Sequence, residues 1–121
     1  MPKKILISEF MDAPAVASLQ ARFEVDYRPK LVDDAAALAA ALPSADAWIV
    51  RNRTQVRGEL LGAASRVRVV GRLGVGLDNI DVAGCEARGM QVIPATGANA
   101  LSVAEYVVGT AMLLLRGVYQ S

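Results

Sequence analysis

Apolar residues fall along this chain in short runs separated by polar turns, and the runs alternate between two spacings. Lys4 to Ser8 (KILIS) has a wholly apolar centre, Ile5 to Ile7, the composition of a strand covered on both faces of a parallel sheet. From Ala13 to Phe23 the spacing changes, with Val16, Leu19 and Phe23 recurring at the period of a helix. Val25 to Tyr27 then predicts a second strand, and Asp33 and Asp34 place two carboxylates ahead of Ala35 to Leu42, where they suit a helix start. Pro43 is expected to end that helix. Ala47 to Val50 (AWIV) predicts a third buried strand with Trp48 in the core. Thr54 is expected to cap a short helix over about 55–64, and Val67 to Val70 predicts a fourth strand. A helix over 81–88 ends at Gly89 as a glycine C-cap would require, and Val92 with Ile93 makes the fifth strand. Strand and helix thus alternate five times over short connections, the pattern of a doubly wound α/β parallel sheet.

Beyond Pro94 a polar turn, Ala95 to Asn99, leads to Ser102 and Glu105. Their spacing is that of a capping box, so a helix is expected over Val103 to Leu115. That segment is apolar on nearly every side, and such a helix has to be covered on every side. The expectation is a homodimer formed through Val103–Leu115, or a further carboxyl-terminal part that covers it.

Composition narrows the chemistry. The 121 residues are 54% apolar, enough for one core, and the formal net charge of +1 gives no reason to expect nucleic acid or a membrane surface as partner. The two lysines and short apolar run at the amino terminus are too brief for a signal peptide. Val103–Leu115 is too short to span a bilayer. A cytoplasmic location is expected. Cys85, the single cysteine, is expected to be a small buried hydrophobe on a helix. There is no histidine at all, so the side chain most used for proton transfer near neutral pH is missing. Metal binding is not expected, because one cysteine, no histidine and scattered carboxylates form no ligand set.

Two features point to a small acidic ligand. The first is Gly71 to Asp81 (GRLGVGLDNID), where glycines at 71, 74 and 76 free backbone N–H groups at a strand-to-helix corner. This is not the dinucleotide fingerprint, because G-x-G-x-x-G would need glycine at position 79, and Asn79 is there. The second is charge: six of the ten arginines lie between Arg51 and Arg72, against one acid, Glu59. Arg51 and Arg72 close the third and fourth strands, on the edge where such sheets bind ligands, and guanidinium groups suit carboxylates and phosphates. For Arg57, Arg66 and Arg68 an ordinary solvated basic face is the competing reading. Other doubly wound proteins fit poorly. A phospho-accepting receiver would need aspartate where Arg51 stands, and a flavin-binding protein would need a hydroxyl-rich loop where Glu9, Phe10, Met11 and Asp12 stand.

Three segments, RNRTQV at 51–56, VVGRLGVGLDNIDV at 69–82 and VIPATGANALSVAEYVVGTAMLLLR at 92–116, resemble in order and spacing the amino-terminal part of the D-isomer-specific NAD-dependent 2-hydroxyacid dehydrogenases, near phosphoglycerate dehydrogenase. The resemblance implies a five-stranded flavodoxin-like substrate-binding domain over 1–95, then a hinge and C-terminal linking helix over 96–121 leading toward a cofactor domain. By motif, Arg51, Asn52, Gly74, Val75 and Gly76 resemble the residues that hold the substrate. Val75, Asn99 and Ser102 resemble those near the cofactor. The family's Rossmann fingerprint and its catalytic arginine, glutamate and histidine have no counterpart here. NAD is therefore expected in the complete enzyme but not bound tightly by this chain, which alone is expected to be inactive and to hold no catalytic residue. The rival expectation is a stand-alone, non-catalytic, dimeric module that binds a small anion.

Overall fold

Five parallel strands form one sheet in the order β2-β1-β3-β4-β5. They are β1 (Lys4–Ile7), β2 (Glu24–Tyr27), β3 (Ala47–Val50), β4 (Val69–Arg72) and β5 (Gln91–Pro94). The computed structural model describes residues 4–11, 13–21, 23–73 and 76–94. Between the strands run α1 (Ala13–Gln20), α2 (Ala35–Ala41), α3 (Gly58–Ala63) and α4 (Val82–Ala87). The doubly wound α/β reading of the apolar pattern is therefore correct. The expected linking helix and the turn before it lie outside the described residues.

Side chains alternate across the sheet, and the two sets meet different helices. Ile5, Ile7, Ala47, Ile49 and Val69 join Val16 and Leu19 of α1 on one face. Leu6, Trp48, Val50 and Val70 join Leu38 of α2, Leu61 of α3 and Cys85 of α4 on the other. β1, β3 and β4 are thus apolar on both sides, which is why their sequences read as unbroken runs. β2 is an edge strand with Glu24 exposed. Trp48 is fully buried, as expected, and its indole N–H donates to Ser8 Oγ at 3.0 Å.

Two local readings need correction. Thr54 does not cap a helix: a parallel bridge from Val56 to Ile80 holds the chain there instead. The helix waits until Gly58, whose φ of +58° only glycine adopts freely, with Arg57 as an N-cap that makes no side-chain bond. As expected, α2 ends at Ala41, just ahead of Pro43, which sits early in a 3-10 turn, Leu42–Ser44, a place where its missing N–H costs nothing. The fourth strand starts two residues later than the apolar run. Val67 N–H is spent on Ala64 O at 3.3 Å and Arg68 N–H on Asp46 O at 2.9 Å.

The helix boundaries of α2 and α4 follow the expected chemistry. Asp34 accepts from Ala37 N–H at 3.1 Å and Asp81 from Gly84 N–H at 3.0 Å. At the far end of α4, Gly89 takes φ +77° while its N–H reaches Glu86 O at 3.0 Å and Met90 N–H reaches Cys85 O at 2.9 Å. This pair of bonds is the Schellman arrangement, which leaves the last carbonyls answered.

Cys85 is buried among apolar side chains, and burial, with the nearby Asp81 carboxylate adding to it, pushes its thiol above the ordinary range. A thiol reagent at pH 8 should label native Cys85 at least about a hundredfold more slowly than the urea-unfolded chain. Equal rates would contradict this packing.

Candidate functional site

In a sheet of order 2-1-3-4-5 the chain reverses direction between β1 and β3, and ligands bind outside the carboxyl ends of the strands at such a switch point. The residues that follow β1 and β3 meet there. A cleft of about 200 Å³ is lined by Glu9 and Phe10 after β1, by Pro29 and Val32 after β2, and by Arg51, Asn52 and Arg53 after β3. Of the residues singled out in the sequence, the cleft brings together Arg51 and Asn52. Gly76 is not part of its lining, and Gly74, Val75, Asn99 and Ser102 lie outside the described residues.

Arg51 is partly buried, and its guanidinium carbon sits 5.9 Å from the centroid of the Phe10 ring, within range of a cation–π contact. A long bond of 3.4 Å joins its Nη1 to Phe10 O. Phe10 itself is 58% exposed and is the exposed large hydrophobic residue among those described. Asn52 is exposed, and Arg53 pairs with Asp33 across the mouth of the cleft.

The loop that carries Arg51 is held from two sides by residues the sequence pattern did not single out. Glu9 is buried, and its carboxylate accepts three backbone N–H groups: Arg51 at 2.5 Å and Thr54 at 3.1 Å on Oε2, and Arg53 at 3.0 Å on Oε1. Asn79, also buried, donates its Nδ2 to Arg51 O and Thr54 O, each at 2.8 Å. One side chain therefore answers three of the loop's donors and the other two of its acceptors. The only advance signal was positional, an acid directly at the end of the first strand.

Asn79 also joins this loop to the glycine-rich corner. Its Oδ1 lies 3.4 Å from Nε of Arg72, which is buried at the end of β4 and donates Nη1 to Leu73 O at 3.1 Å. A Cβ on Gly76 would stand 3.7 Å from Arg72 Nη2. Among the described residues Arg72 has no carboxylate partner. Arg57, Arg66 and Arg68 are exposed, with Arg66 paired to Asp46 and Arg57 bonded to Asp78 O. They belong to the solvated surface.

A sequence model described as D-isomer specific 2-hydroxyacid dehydrogenase, catalytic domain, matches residues 5–119. The chain belongs to this family. It is 52% identical to an (S)-sulfolactate dehydrogenase of Chromohalobacter salexigens, over 97% of this chain and 38% of that protein. It is 38% identical to a D-3-phosphoglycerate dehydrogenase of Mycobacterium leprae, over 97% of this chain and 22% of the relative. An NADPH-dependent glyoxylate/hydroxypyruvate reductase of Sinorhizobium meliloti, solved with NADP and malonate, matches in structure with a TM-score of 0.65 at 26% identity, covering 78% of this chain and 28% of that one. The chain thus spans well under half the length of these dehydrogenases.

Position 79, where a pyrophosphate-binding turn needs a third glycine for helix and strand to approach, holds a buried asparagine whose amide is committed to two carbonyls. Among the described residues no group of His, Cys, Asp and Glu is placed to hold a metal, and no helix is long and apolar enough to cross a membrane.

Thr54 Oγ1 lies 3.2 Å from Ser8 Oγ, which also receives the Trp48 indole, all of it buried. Replacing Thr54 by valine keeps the shape and leaves the Ser8 hydroxyl short of a partner. Urea unfolding should show a loss of about 1–2 kcal/mol. Unchanged stability would mean that the two hydroxyls are not bonded.

Proposed function

We propose that this chain is the substrate-binding portion of an NAD-dependent oxidoreductase that exchanges hydride between nicotinamide and C2 of a small 2-hydroxy or 2-oxo acid. The observation that carries the reading is the placement of Arg51 in the cleft at the β1/β3 switch point, on a loop fixed by Glu9 and Asn79. Family membership supports the reaction class.

The share of the described residues is electrostatic. Arg51 offers a guanidinium to an anionic group of the acid, and Asn52 offers an amide beside it. The backbone of 74–76, with Arg72 behind Gly76, offers further donors. Held in place by Glu9 and Asn79 before the acid arrives, Arg51 and Asn52 orient it without rearrangement, which is how a binding site contributes to rate. The acids named for the two sequence relatives, sulfolactate and phosphoglycerate, each carry a second anion, and a cleft with a cation on a fixed loop suits such an acid. Proton transfer and the hold on NAD belong in this reading to a cofactor domain joined through a linking helix over 96–121, with Asn99 and Ser102 near the cofactor and the helix packing between two copies.

Two measurements test it. Arg51→Ala in the complete dehydrogenase should raise KM for its 2-oxo acid by about 10- to 100-fold, the worth of one charged hydrogen bond. An unchanged KM and kcat would remove Arg51 from the site. The purified 121-residue chain should show no NADH oxidation with glyoxylate or sulfopyruvate, and measurable turnover would overturn the division of labour.

A further inference from the structure

Glu9 stands at the carboxyl end of β1, beside the cleft, and in that place a buried carboxylate invites reading as a proton-transfer group. Its contacts say otherwise. Both oxygens are committed to backbone N–H donors of a single loop, and among the described residues no Lys or Arg side chain pairs with it. Asn52 N–H, the one amide of the 51–54 segment that Glu9 does not take, has no acceptor among the described residues. Four consecutive residues therefore wrap around one carboxylate, three of them pointing their N–H groups inward. Asn79 closes the other side by donating to the carbonyls of the first and last of the four.

We infer that Glu9 is a positioning residue that acts on substrate through the backbone of Arg51. The loop has no regular secondary structure of its own between β3 and the Val56 bridge, so nothing in a ladder or helix fixes where Arg51 leaves the chain. The Glu9 carboxylate supplies that constraint, as a charge-assisted acceptor for several donors at once. The consequence for binding is preorganisation: the guanidinium meets the acid from a loop already set. This inference rests on the reading of Arg51 as a substrate-binding group.

Glu9→Gln keeps the volume and turns one oxygen into an N–H donor facing N–H donors. In the complete dehydrogenase, KM and kcat are measured for whichever of glyoxylate, sulfopyruvate or 3-phosphohydroxypyruvate is turned over best, in wild type, Glu9→Gln, Arg51→Ala and the double variant. Glu9→Gln should raise KM about tenfold in the wild-type background and by less than about twofold once Arg51 is alanine. The same factor in both backgrounds, or a fall in kcat with KM unchanged, overturns the inference. An inert Glu9→Gln beside a damaging Arg51→Ala overturns it alone, whereas an inert Arg51→Ala removes the reading of Arg51 as well. Should Glu9→Gln not fold, amide hydrogen exchange on the wild-type protein decides. Arg51, Arg53 and Thr54 should exchange at least about tenfold more slowly than Asn52, and four equal rates would overturn the clamp.

Discussion

A carboxylate removed from water must have its lone pairs answered, and the answer that Glu9 receives organises the working edge of this domain. Its partners are three backbone N–H groups from a loop more than forty residues away in sequence. Because the carboxylate sits at the end of a central strand, the loop is referenced to the most rigid part of the sheet. Hydrogen bonds to a charged group are worth more than neutral ones, about 1.5–3 kcal/mol each in net terms. Losing the acceptor would leave several buried donors without partners. The loop between β3 and α3, which lacks regular structure, is by this means tied to the end of β1.

The rest of the edge follows from that reference point. Asn79 ties the same loop to the corner after β4, and Arg72 extends the connection to Gly76. The parallel order 2-1-3-4-5 opens a crevice between β1 and β3, while the glycine-rich corner lies one strand further along. The loop after β3 and the turn after β4 are thus brought to one side of the sheet and linked by a single asparagine. The same asparagine occupies the place where a dinucleotide turn would need glycine, so the corner after β4 does not carry that fingerprint.

What could be read in advance was whatever depends on neighbours in sequence. Ala47–Val50 was legible to the residue because a short apolar run with two β-branched residues and an aromatic, between polar turns, suits a strand covered on both faces. The Gly89 cap was legible because the chemistry of a helix end lies within four residues. Arg51 and Asn52 were legible as edge residues by their place after β3 and by resemblance to the family. Glu9 and Asn79 were not, since their role exists only once residues 9, 51–54 and 79 meet. Thr54 was misread for the same reason: its spacing suits a cap, but tertiary pairing of Val56 with Ile80 holds the chain there instead, and the hydroxyl turns inward to Ser8.

Whether the carboxyl edge of β1, β3 and β4 takes a small acid is decided by an amide-resolved NMR titration of the chain with 3-sulfolactate. Saturable shifts are expected at Arg51 to Thr54 and at Gly76 to Asn79, with none at the opposite edge around Asp46 and Arg68. Shifts confined to that opposite edge, or no saturable shift anywhere, would contradict a small-acid site on the carboxyl edge.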